Sequence, residues 1–289
     1  MSEWLEISVG TSALEDAAAL LSSELSWASD GVQVQQDCVT FWVPKEEAEK
    51  ALADTRKFLE DLRAKGFPPT ELLFREAKPE SEWRDAWKRY FRTLRITRQL
   101  IIVPSWDTCE PVEGDLLMHL DPGQAFGTGD HATTRMLLRV LQSLADEDFA
   151  ADTFLDVGTG SGILSLAAKL LWPSSKGVAT DIDPLAVDAT TENLDRNGVN
   201  GVDVSAKSLS EITGTFPLVL ANIQADVLLS MAEDLREKVA PGGHLLLSGL
   251  LRGQEKSIDK SFLPLGFQTV KNYFDDRDSD WIAMHLAVH

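Results

Sequence analysis

Cysteine is nearly missing from this 289-residue chain: Cys38 and Cys109 are the only two. Two thiols in unlike contexts form neither a disulfide framework nor a zinc motif, and they fit a reducing compartment. No apolar run approaches the ~18 residues of a membrane span. The start, MSEWLEISVG, lacks the basic and apolar regions of a signal peptide. We therefore expect a cytoplasmic protein with no membrane segment and no structural metal. Positive charge is also short: 27 Lys and Arg face 46 Asp and Glu, for a net charge of −19. Such a polyanion is repelled by phosphate backbones and anionic membranes and attracts basic partners. Stable nucleic-acid binding is not expected.

What is present is an ordinary globular composition, 44% hydrophobic and 25% charged, at a length that suggests two domains. Residues 71–100 run against the overall charge, with eight bases and five acids. Arg84, Lys88, Arg89, Arg92, Arg95 and Arg98 interleave there with Trp87, Tyr90 and Phe91. Two readings stay open: a nucleic-acid contact, or an interdomain helix and turn whose charges meet acidic neighbours.

Patterning divides the chain in three. Residues 1–77 show strands over 4–9, 31–34, 39–43 and 71–74 and helices over 14–25 and 46–65. The order β-α-β-β-α-β is the split, ferredoxin-like pattern. Ser12 and Glu15 form a capping box for the first helix, and Gly66 closes the second. Residues 78–98 are a linker region with a helix over 78–92. Residues 99–289 open with strands over 101–103 and 116–120 and then alternate. Strands are expected over 154–157, 177–181, 202–205, 218–221 and 244–248, with helices over 162–171, 184–197 and 225–239. Two late strands, near 269–273 and 281–288, form an antiparallel edge. The prediction is an α/β fold: a doubly wound, seven-stranded Rossmann-like sheet with helices on both faces.

The chemistry gathers at strand ends. Phe154-Leu-Asp-Val-Gly-Thr-Gly-Ser-Gly162 runs into an apolar helix. Ile163 breaks the dinucleotide fingerprint, and no Gly-Lys-Ser/Thr follows to make a P-loop. Glycines 158, 160 and 162 let a ligand lie against backbone, at the mouth of the sheet where open α/β folds bind. Asp156 ends the first strand. Asp181 ends the second, 23 positions beyond Gly158, placed to accept both hydroxyl protons of a ribose. Asp183 reads as the cap of the helix opened by Pro184. Asn222 ends the fourth strand; it either faces the pocket with its amide or caps the next helix. Asp121-Pro-Gly-Gln-Ala-Phe-Gly-Thr-Gly-Asp-His-Ala-Thr-Thr134 can fold over a cofactor, with Thr133 or Thr134 offering a hydroxyl to a carboxylate at a helix N-terminus. A plain helix cap is the alternative for either threonine.

Jointly DPGQAFGTGDHATT, FLDVGTGSGILSLAA, ATDIDPLAVDATTENLDRNGV, LANI and GGHLLLSGLLRGQ resemble the PrmA family, the methyltransferases of large-subunit ribosomal protein eleven. WRDAW and IIVPSW resemble its linker and entry strand. The resemblance spans residues 83–254. It implies a class I fold, S-adenosylmethionine as methyl donor, and a basic large-subunit ribosomal protein as substrate. Lysine ε-amines and the N-terminal α-amine are then the acceptors. The small N-terminal domain sits where the family has its substrate-recognition domain. Carried over by motif, Thr134, Gly158, Asp181 and Asn222 bind the cofactor, and Phe126, Gly127, His131 and Gly160 line the same pocket. The chain departs from the family pattern at four positions: Asp130 for Thr, Ala132 for Pro, Thr159 for Cys and Gln224 for Leu. Asp130 and Gln224 lie near the expected amine entrance.

Methyl transfer to an amine needs a neutral nitrogen in line with the methyl group. We expect Asn222 to accept a hydrogen bond from that amine. No clear general base is visible: His131 is the one histidine near the pocket, as base or as loop-ordering residue. Two other classes compete, an RNA methyltransferase and a noncatalytic cofactor-binding interaction protein on the same fold. A monomer is expected.

Overall fold

Alternation builds the N-terminal sheet. Along Trp4–Gly10 (β1), Ile7 and Val9 are fully buried while Ser8 between them is half-buried. The computed structural model describes residues 4–10, 33–34, 38–44, 47–64, 71–76, 92–120, 129–278 and 280–288. It divides into two compact units, Met1–Tyr90 and Phe91–His289. In the first unit β1 is followed by Gln33–Val34 (β2), Cys38–Pro44 (β3), helix Ala48–Ala64 (α1) and Glu71–Glu76 (β4). The strands pair antiparallel in the order β2-β3-β1-β4. Ala51, Thr55 and Leu59 recur every fourth residue of α1 and form its buried stripe. The helix expected over 14–25, and all but the last residue of the one expected over 78–92, lie outside the described residues.

The second unit opens with a three-stranded sheet of Leu94–Arg95 (β5), Leu100–Val103 (β6) and Leu116–His119 (β7), β6 pairing antiparallel with β5 and parallel with β7. Arg95 forks onto Asp115 at 2.8 and 2.9 Å, and Arg98 onto Asp146. At least these two charges of the basic stretch meet carboxylates of the protein itself.

After Ala132–Asp146 (α2) the chain alternates: Thr153–Val157 (β8), Ile163–Leu171 (α3), Lys176–Thr180 (β9), Pro184–Arg196 (α4), Val202–Ser205 (β10) and Phe216–Asn222 (β11). Then come Ala225–Ser230 (α5), Ala232–Lys238 (α6), Val239–Leu251 (β12), Glu255–Phe262 (α7), Phe267–Phe274 (β13) and Trp281–Val288 (β14). The sheet order is β10-β9-β8-β11-β12-β14-β13, parallel except for β14, which runs antiparallel to both of its neighbours. The seven strands and the antiparallel final pair are those expected from the pattern. The single helix expected over 225–239 is two helices broken at Met231, and α7 was not foreseen.

The central strands read as unbroken apolar runs because both faces are covered. Leu218, Leu220 and Leu246 pack toward Met136, Leu137 and Leu141 of α2. Val219, Leu245 and Leu247 pack the other way, toward Leu235 of α6 and Ile258 and Phe262 of α7. Strand order reverses between β8 and β11. That switch point leaves a crevice beyond the carboxyl ends of the two strands, and it positions everything that follows.

Candidate active site

The turn after β8 is held in left-handed backbone: Gly158, Gly160 and Gly162 have φ of 69°, 57° and 77°. Gly158 has a second reason to be glycine. A Cβ there would stand 2.4 Å from Cγ2 of Ile223, so the turn and the end of β11 could not approach. Helix α4 pins the turn from outside: Thr190 Oγ1 donates to the Gly160 carbonyl at 2.9 Å and Asn193 Nδ2 to that of Ser161 at 2.8 Å.

Two aspartates serve the turn differently. Asp156 is buried and does not line the crevice; its Oδ2 accepts from Thr159 Oγ1 at 2.9 Å, Ser165 Oγ at 2.7 Å and Ser165 N–H at 3.2 Å. Burial pushes its carboxyl up to about 6 against the pull of those hydrogen bonds. Its Oδ1 has no partner among the described residues. A carboxyl whose folded pKa is raised contributes stability present below the unfolded value and lost as pH climbs through about 6. Asp156→Asn keeps an acceptor for all three donors and cannot ionise. The variant is expected to melt above the parent at pH 8, by the equivalent of about 3 kcal/mol, and to converge with it at pH 4. Paired thermal melts check this; an equal difference at both pH values would refute the buried charge.

Asp181 lines the crevice beside the turn. Its Oδ2 accepts the Gly160 N–H at 3.0 Å and its Oδ1 the Asp183 N–H at 3.1 Å, and each oxygen keeps the capacity to accept a further hydrogen bond. Asp183 caps α4, accepting from Leu185 N–H at 2.9 Å.

Across the switch point, Asn222 lines the crevice and does not cap α5, whose N-cap is Gln224. Asn222 Nδ2 donates to Thr134 Oγ1 at 3.3 Å. Its Oδ1 is buried and without a partner among the described residues. A buried orphan acceptor costs free energy unless a ligand satisfies it. Thr134 itself is fully buried behind Asn222, while Thr133 reaches the crevice. His131 is the N-cap of α2: its Nδ1 accepts from Thr133 N–H and shares a 2.8 Å hydrogen bond with the Thr133 hydroxyl. Phe126 and Gly127 lie outside the described residues.

Several pocket residues were not anticipated. Trp281, first residue of β14, meets His131 edge-to-face at 4.8 Å, and both line the crevice. Ile182, 87% exposed, and buried Leu209 put apolar surface on the wall of the crevice that also carries Asp181. The turn carrying Leu209 is fixed by Glu211, whose carboxylate accepts the Ser208 N–H at 2.9 Å and hydroxyl at 2.7 Å. Met231 and Gly249 complete the wall of a cavity of about 680 Å³.

One buried guanidinium ties this wall together. Arg135 on α2 donates to Asp275 through Nε at 3.0 Å and Nη2 at 2.7 Å, and through Nη1 to the Asp130 carbonyl. Asp275 also accepts the Arg277 and Asp278 N–H groups, and the Arg135 guanidinium holds its carboxyl down at about 2. Asp130 precedes His131 in the chain, and Asp275 follows β13, so Arg135 joins the segment before α2 to the one after β13.

A seven-stranded sheet of this order, with a glycine turn and an acid side by side at the ends of β8 and β9 next to its switch point, defines a class: the class I methyltransferases. Within that class the chain belongs to the ribosomal protein L11 methyltransferase (PrmA) family, which it matches over residues 4–288. It is 41% identical to the ribosomal protein L11 methyltransferase of Geobacter metallireducens over 249 residues, 84% of this chain and 79% of that one. The Geobacter sulfurreducens protein of the same name is 40% identical over 263 residues, 88% of this chain and 83% of the relative. Among solved structures, the ribosomal protein L11 methylase of Lactobacillus delbrueckii subsp. bulgaricus superposes with a TM-score of 0.61 at 32% identity, covering 69% of this chain and all of that one.

Proposed function

We propose that this methyltransferase transfers methyl groups from S-adenosylmethionine to lysine ε-amines and the N-terminal α-amine of ribosomal protein L11, as a monomer in the cytoplasm without stable nucleic-acid contacts. The observation that carries the reading is the orphan Oδ1 of Asn222, a buried acceptor in the crevice that also holds the glycine turn and Asp181. When bound, the donor supplies a methyl group on a sulfonium. Asp181 takes the two ribose hydroxyls, Gly158 and Gly160 let backbone reach the amino-acid portion, and Ile182 covers the base. His131 orders the start of α2, and Phe126 and Gly127 are assigned to the same ligand by their motif alone. Asp156 acts one layer back, as the anchor of the turn.

Asn222 is the residue we assign to the acceptor amine. Its Nδ2 is engaged by Thr134, which fixes the amide so that Oδ1 is the free end. An amide oxygen accepts from an amine N–H and holds nitrogen in place. It takes no proton, so an entering ammonium loses its proton to water before transfer. Residues 1–77 are proposed as the ferredoxin-like substrate-recognition domain, 78–98 as linker and 99–289 as catalytic domain. The charge of −19 suits a basic protein substrate.

Intact-mass analysis of purified ribosomal protein L11 after incubation with enzyme and donor tests the reading, with stripped ribosomal RNA as the competing acceptor. Mass gain on the protein alone is expected; label on RNA alone would reverse the assignment. Asn222→Ala should lower kcat about tenfold, the worth of one hydrogen bond, with donor affinity by calorimetry within a factor of two. Full activity in that variant would remove Asn222 from the chemistry.

A further inference from the structure

A neutral primary amine presents two N–H groups once its lone pair faces the methyl, yet Asn222 Oδ1 is a single acceptor. Two residues on, Gln224 stands in the same cavity. It is the N-cap of α5, with φ −60° and ψ 147°, but its side chain makes no capping hydrogen bond. It is exposed, whereas the Asn222 amide oxygen is buried, so one amide lies at depth and one at the mouth. Nothing in the cap geometry calls for glutamine: Ser, Thr, Asp and Asn cap through short side chains, and Gln does not.

We propose that Gln224 is a specificity-determining residue that supplies the second amine acceptor and thereby favours the first methyl transfer over later ones. The inference rests on the methyltransferase reading above. An unmethylated amine gives one N–H to Asn222 and one to Gln224. Each transfer forms a nitrogen–carbon bond, breaks the sulfur–carbon bond and, after loss of a proton to water, leaves one N–H fewer. A monomethylated amine, with one N–H left, keeps Asn222 and sets its methyl group against the glutamine amide, whose desolvation then goes unrewarded. A dimethylated amine keeps that methyl against Gln224 and loses the bond to Asn222 as well. Gln224 thus raises the rate of the first step and slows the later ones.

The experiment is a time course of intact mass and peptide mapping on ribosomal protein L11, which resolves the successive steps at each modified amine. Gln224→Leu should slow the first transfer roughly threefold to tenfold, the range for one hydrogen bond. It should speed the second and the third. Gln224→Glu, which keeps the acceptor, should restore the first step relative to Gln224→Leu. The position is exposed and its cap bond absent, so both variants should melt with the parent and bind S-adenosylhomocysteine as it does. Equal slowing of all three steps, or an unchanged ratio between them, would overturn the proposal. If the parent enzyme leaves L11 unmodified, the functional reading fails first, and the two failures are distinct.

Discussion

Asp181→Ala is expected to lose at least about 100-fold in affinity for S-adenosylhomocysteine. Two hydrogen bonds from a diol to a carboxylate contribute about 1.5–3 kcal/mol each, and each 1.4 kcal/mol is tenfold. The loss has a second part: Asp181 also accepts the Gly160 N–H, so alanine frees the turn that the ligand must lie against. Asp181→Asn separates the two. Its remaining carbonyl oxygen can hold Gly160, while its amide meets the diol with one acceptor too few, and an intermediate affinity is expected. Calorimetric titration of both variants decides the matter. Affinities within threefold of the parent would mean that the ribose lies elsewhere.

The second large effect falls on a residue with no polar group. Gly249 has φ of 84°, and a Cβ there would stand 2.3 Å from the carbonyl oxygen of Ile223 and 2.7 Å from its carbonyl carbon. Backbone cannot swing aside as a side chain does. Gly249→Ala must therefore push Ile223, and with it the amides of Asn222 and Gln224 on either side. Displacement of a positioning group by ~1 Å costs on the order of 100-fold in rate, and a loss of that size in kcat is expected. Donor affinity, held by Asp181 and the glycine turn, should change far less. Gly253→Ala is the control: φ is 99°, with nothing within 4 Å of the added carbon. Its cost is backbone strain alone, so its kcat should stay near the parent's. Equal kcat in the two variants would show that Ile223 does not set the amides.

The contrast explains what was legible from residue order. Seven alternating segments announced the sheet, because burial on both faces forces long apolar runs and the turns between them are short. Gly158, Asp181 and Asn222 were readable because each sits at a strand end, where topology alone aims it at the crevice. Gly249 also follows a strand core, but its requirement arises from the backbone of Ile223, 26 residues earlier, and no local pattern encodes that. Trp281 and Ile182 are apolar residues at element ends, and only the assembled sheet shows that they face a cavity. The Ser208–Glu211 pairing did carry a signal: Ser-x-x-Glu is a capping box, and it marks the turn that brings Leu209 to the pocket. The break at Met231 had no such mark, since neither glycine nor proline interrupts residues 225–238. Asp156 was placed correctly at its strand end, yet its side chain turns toward Ser165 and away from the crevice, a choice set by three donors beneath it.

β14 lies between β12 and β13 and is synthesised after both. Until it inserts, β13 has no partner in the sheet, Asp275 has no fixed turn to anchor, and Trp281 cannot meet His131. A nascent chain still lacking this strand thus holds most of the crevice but not its closing wall. Ligand binding rewards only conformers that contain the whole site, so any ligand of the crevice stabilises the sheet with β14 in place over every form without it.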